Sequence, residues 1–96
     1  MENNKGKIML VDESENLRYV IKDYFEMEGY EVVDFKDGEM AAKAYNTDLY
    51  DLCIIDIILP GKDGFTLLQD IRKIDDLTPI IVLTSHASKE ERIKGF

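Results

Sequence analysis

The chain has 96 residues, of which 45% are hydrophobic and 33% charged, and its formal net charge is −8. This composition describes one globular domain rather than a disordered or membrane chain, and its acidity opposes non-specific binding to nucleic acid or anionic lipid. No apolar run approaches the roughly 20 residues that span a bilayer, and Met1 to Lys7 contain no signal-peptide core, so a cytoplasmic location is expected.

The first apolar run, Ile8 to Val11, ends on Asp12 and reads as a strand. Leu17, Val20, Ile21, Tyr24 and Phe25 then follow the spacing of an amphipathic helix, with Ser14 as its N-cap and Gly29 where a helix end needs positive φ. Glu31 to Phe35 is more polar and predicts an edge strand. Asp37 caps a short second helix, Gly38 to Asn46, with Ala41, Ala44 and Tyr45 on one face.

Leu52 to Ile55 is an uninterrupted apolar run ending on Asp56, the pattern of a strand covered on both faces. Cys53, within it, has no disulfide partner in the chain and reads as a small core residue. A Pro-Gly turn leads to a third helix from Phe65 to about Asp75, with Leu67, Leu68, Ile71 and Ile74 inward. Pro79 opens a fourth strand, Ile80 to Leu83, which ends on Thr84. A capping-box spelling at Ser88 to Glu91 begins a fourth helix carrying Ile93 and Phe96. Tyr19, Tyr24, Tyr45 and Tyr50 read as partly buried packing residues with wet hydroxyls.

Regular alternation of strand and helix predicts an α/β fold, a parallel sheet with helices on both faces. Open sheets of this kind place ligands beyond the carboxyl ends of their strands. Those ends carry Asp12 with Glu13, Asp56, and Thr84. Converging carboxylates either take up a proton or bind a cation, and a few hard oxygen donors with room for water suit Mg²⁺. With a hydroxyl on the same rim for an anion, the set points to phosphoryl chemistry at Asp56. Solvated acids at unrelated strand ends are the competing reading.

Val11-Asp12-Glu13, Asp56 to Gly64, and Leu83-Thr84-Ser85, in this order and on these elements, resemble the receiver domain of two-component response regulators, the chemotaxis receivers included. The likeness runs from Lys7 to Phe96. It implies a flavodoxin-like three-layer sandwich with a parallel sheet of order 2-1-3-4, and a receiver domain over residues 1–96. It implies that Asp56 is the phosphoacceptor for a sensor histidine kinase, and that Asp12, Glu13, Asp56 and the backbone carbonyl of Ile58 hold Mg²⁺. Thr84 would bond the phosphoryl oxygen and act as the switch, with the small Ser85 beside it. Such a domain signals to an effector domain of its parent protein and is not an enzyme with a diffusible substrate.

The chain departs from the family pattern in lacking a fifth strand with its aromatic residue and Lys-Pro ending, and the fifth helix after it. Lys62, Lys89 and Lys94 stand elsewhere and read as solvated; His86 reads as a loop residue. An unpaired fourth strand predicts a homodimer or strand-exchanged assembly. The alternative function is therefore a phosphorylation-impaired fragment or pseudo-receiver serving as a dimerisation or docking module. A magnesium phosphatase of the haloacid dehalogenase type requires a second Asp two residues after the first; Ile58 and Ser14 occupy those positions.

Overall fold

The computed structural model describes residues 5–45, 50–59 and 61–83. Thr84, Ser85, His86, Lys89, Lys94 and the expected fourth helix lie outside these residues. Four strands alternate with three helices: β1 (Lys7–Val11), α1 (Glu15–Met27), β2 (Glu31–Phe35), α2 (Gly38–Ala44), β3 (Leu52–Asp56), α3 (Gly64–Ile74) and β4 (Ile80–Leu83). The strands form one parallel sheet in the order β2-β1-β3-β4. The polar strand is at one edge, as its composition predicts.

The period of two along each strand divides the core into two halves. Met9, Val11, Cys53 and Ile55 pack with Ala41 of α2 and with Leu67 and Ile71 of α3. Ile8, Leu10, Val32 and Ile54 face the other way, against Ile21 and Phe25 of α1. Burying each such aliphatic side chain is worth about 1.5–3 kcal/mol. Among the described residues the sheet therefore has a helix on one face and two on the other, a three-layer arrangement.

Each helix begins on a side-chain oxygen that takes an otherwise orphaned amide. Ser14 Oγ accepts from Leu17 N at 3.1 Å, Asp37 Oδ1 from Met40 N at 2.9 Å, and Asp63 Oδ1 from Thr66 N at 2.8 Å. After α1, Gly29 turns the chain with φ 103°, where a side chain would be strained.

Several expectations change in detail. The stripe of α1 that meets the sheet is narrower than its apolar sequence. Leu17, Ile21 and Phe25 are half-buried, while Val20 and Tyr24 are 60% and 57% exposed. Steps of four residues advance only about 40° around the axis, whereas Val20 and Tyr24 stand to one side, about 100° and 60° from Ile21 at the centre of the row. Ile74 of α3 is likewise exposed. α2 stops at Ala44, and Tyr45 already has extended backbone. The tyrosines do not behave alike: Tyr19 and Tyr24 are exposed, whereas Tyr45 and Tyr50 are buried and stacked at 5.9 Å. The Tyr45 hydroxyl is not left to water but donates to Asp75 Oδ2 at 3.1 Å and lies 3.3 Å from Thr78 Oγ1.

Candidate functional site

β1 and β3 are adjacent, and their register pairs Val11 with Ile55. The next residue on each strand is an aspartate, and Asp12 and Asp56 are both 0% exposed. The ladders continue past them, with Asp12 N donating to Phe35 O at 3.1 Å and Ile57 N to Leu83 O at 3.0 Å. Neighbouring strands lie about 4.8 Å apart, so two carboxylate-bearing residues stand side by side at the carboxyl end of the sheet.

Each aspartate closes the same local turn. Asp12 Oδ1 accepts from Ser14 N at 2.8 Å, and Asp56 Oδ1 from Ile58 N at 3.2 Å. This is the Asx turn, in which a side chain replaces a backbone acceptor and fixes its own orientation. At Asp12 the second oxygen, Oδ2, is buried and has no hydrogen-bond partner among the described residues. A buried carboxylate oxygen in that state is costly, and a cation or a proton is what relieves it.

Glu13 is exposed beside this pair, and Ile58 is also exposed. Among the described residues no three His, Cys, Asp or Glu side chains are already gathered as a metal-holding group. The donor chemistry is nonetheless hard oxygen throughout, and the orphaned Asp12 Oδ2 is the acceptor a hard cation would use. Leu83, opposite Asp56 in the register, carries β4 up to the same end of the sheet. Thr84 and Ser85 lie outside the described residues.

Three contributors escape periodicity. Arg18, on the polar side of α1, reaches back over its own helix start: Nη1 donates to Asp12 O at 2.8 Å and to Glu13 O at 3.3 Å. Its Nε donates to Asp34 Oδ2 at 2.9 Å, and Lys22 Nζ takes the other Asp34 oxygen at 3.4 Å. Burial acts to raise Asp34, but the Arg18 hydrogen bond and the Lys22 charge outweigh it and hold the carboxyl below its usual range. Gly64 and Gly38 are the other two. A Cβ on Gly64 would lie 2.2 Å from Asp56 O, and one on Gly38 the same distance from Lys62 O. The start of α3 is thus pressed against the backbone of Asp56, and the start of α2 against the following loop. The repeated Asp-Gly at both helix starts is the signal that could have found them. Lys62 is not simply solvated, because its Nζ pairs with Asp70 at 2.7 Å.

The profile of the family described as the response regulator receiver domain matches residues 8–96. The transcriptional regulatory protein RprY of Bacteroides fragilis is 40% identical over 92 residues, covering 96% of this chain and 39% of that protein. Among solved structures, the non-phosphorylated HemR receiver domain from Leptospira biflexa superposes with a TM-score of 0.82 at 34% identity, covering 96% of this chain and 74% of that one. The receiver domain of the Pseudomonas aeruginosa sensor histidine kinase PA1611, which holds a magnesium ion in its active site cleft, gives a TM-score of 0.78 at 29% identity, with coverages of 92% and 74%. The chain spans about two fifths of the length of the curated relatives it matches. A parallel sheet ordered 2-1-3-4, acids at the ends of its two central strands and these matches agree on one assignment: the chain belongs to the receiver domain family of two-component response regulators.

Proposed function

We propose that Asp56 is the phosphoacceptor of a two-component phosphorelay, taking a phosphoryl group from a histidine kinase's phosphohistidine or from a small acyl phosphate. The observation that carries this reading is the pair of fully buried aspartates ending neighbouring strands, with Asp12 Oδ2 unpartnered among the described residues. Asp12, Glu13, Asp56 and the Ile58 carbonyl would hold Mg²⁺, as the magnesium in the cleft of the PA1611 receiver suggests by likeness. An ion held by these residues would supply charge neutralisation for the oxygens of the transferring group.

An Asp56 carboxylate oxygen forms the new P–O bond while the donor's P–N or P–O bond breaks. The bonding electrons leave on the donor's imidazole, which takes up a proton, or on its carboxylate. Aspartate is a weak nucleophile, so positioning matters most, and the Asx turn to Ile58 N restricts how the Asp56 carboxyl can rotate. Thr84 would donate its hydroxyl to the added phosphoryl oxygens, with Ser85 leaving them room, and so couple the modification to the surface around β4. Water later hydrolyses the acyl phosphate and regenerates Asp56, so the domain turns over its own modification and no diffusible substrate.

Intact mass after incubation with acetyl phosphate and Mg²⁺ tests the proposal. The wild type should gain one phosphoryl group and Asp56→Asn none; a wild type without mass gain overturns it. The relatives named transcriptional regulators extend well beyond the matched stretch, which supports an effector domain in the parent protein as the output. With a net charge of −8, this domain would not itself bind the nucleic acid. No helix among the described residues is long and apolar enough to cross a membrane.

One observation favours the docking reading as a second role. Among the described residues β4 pairs only with β3, and its Ile81 and Val82 are 49% and 37% exposed. Light scattering should then find dimers at high concentration; a monomer throughout would remove this role and leave phosphotransfer untouched.

A further inference from the structure

We infer that Arg18 is a positioning residue for the cation site: anchored on Asp34 of β2, it clamps the backbone that carries Asp12 and Glu13. The inference rests on the reading of these acids as Mg²⁺ ligands, and it concerns a residue that touches neither the metal nor the phosphoryl group.

The geometry is specific. One guanidinium nitrogen, Nη1, bonds two successive carbonyls, Asp12 O and Glu13 O, while Nε bonds Asp34 Oδ2. A peptide unit is planar, so pinning its carbonyl pins the whole plane. The planes on both sides of Glu13 are therefore held, and with them the directions in which the two acidic side chains leave the backbone. Ser14 N, the next amide, is already committed to Asp12 Oδ1. The Arg18 side chain is only 15% exposed, and the carboxylate that anchors it is itself shared with Lys22. A lysine at position 18 could not reproduce this fork, whose rigid plane serves a carboxylate and two carbonyls together.

Charge alone makes the opposite demand. Arg18 is a cation beside a site proposed to take a cation, so removing its charge should tighten Mg²⁺ binding by simple Coulomb repulsion relieved. Loss of positioning should weaken binding instead; groups that hold metal ligands in place are typically worth about 10- to 100-fold in affinity. The sign of the change separates the two effects.

The experiment is calorimetric titration of Mg²⁺ into the wild-type chain, Arg18→Ala, Arg18→Lys and Asp34→Asn, with melting in EDTA as the control for folding and acetyl phosphate labelling of Asp56 alongside. Arg18→Ala and Arg18→Lys should both raise the Mg²⁺ Kd about 10-fold or more, and excess Mg²⁺ should restore labelling. Should Arg18→Ala fail to fold, Arg18→Lys decides. An unchanged or lower Kd in the variants, with a wild type that binds and is labelled, overturns the inference alone. A wild type that neither binds Mg²⁺ nor is labelled overturns the site reading and this inference with it.

Discussion

Asp34 sits on the polar edge strand between Val33 and Phe35, and it anchors Arg18 and Lys22. Its folded pKa is depressed, so the pairing stabilises the protein above about pH 4, the ordinary Asp range, and is lost as pH falls through the folded value. Asp34→Asn should therefore cost on the order of 1 kcal/mol at pH 7. That gap to the wild type should close in denaturant melts below about pH 4. Cys53 presents the converse case, a buried thiol in the middle of β3 that burial pushes up to about 11. Thiolate, not thiol, reacts, so Cys53 should resist a thiol reagent at pH 8 in the native protein and label at once in denaturant. Its burial was legible from the apolar run around it. The Arg18–Asp34 pair was not, because it depends on β2 lying beside β1, which no local pattern in either segment specifies.

Strand limits follow the sequence closely because β1 and β3 are covered on both faces, so apolar run and strand coincide. The helices are less literal. The apolar stripe of α1 is broad in the sequence, but one layer of sheet covers only its centre, and Val20 and Tyr24 remain outside. The start of α3 falls at Gly64, one residue ahead of Phe65, because the cap is Asp63 and the glycine allows the helix to begin in contact with Asp56. Caps are where an element's stability is most sensitive to one atom. Ser14→Ala removes the acceptor for Leu17 N and should cost about 1 kcal/mol, read as a fall in melting temperature of about 4–8 °C.

The described residues form a sheet between two unequal helical layers, and its order brings the two aspartate-bearing strands to the centre. Sequence motifs placed Asp12 and Asp56 at strand ends. That they stand side by side follows from the β1–β3 pairing, which the family resemblance implied and residue periodicity alone did not. If those acids take Mg²⁺, the folded state gains the binding free energy, up to about 2.7 kcal/mol at a hundredfold excess over Kd. Melting temperature should rise with Mg²⁺ in the wild type and stay flat in Asp12→Asn; a flat wild-type curve would mean the acids do not share an ion. The burial of the last four residues of β1 and of Cys53 to Asp56 in β3 also has a kinetic meaning. Amides in such strands should exchange with deuterium only when much of the domain opens, which exchange monitored by NMR or mass spectrometry checks. The two carboxylates thus stand at the ends of the strands expected to exchange most slowly among the described residues. A charge added at Asp56 would meet a foundation that does not yield, and the loops above the sheet would have to absorb the change.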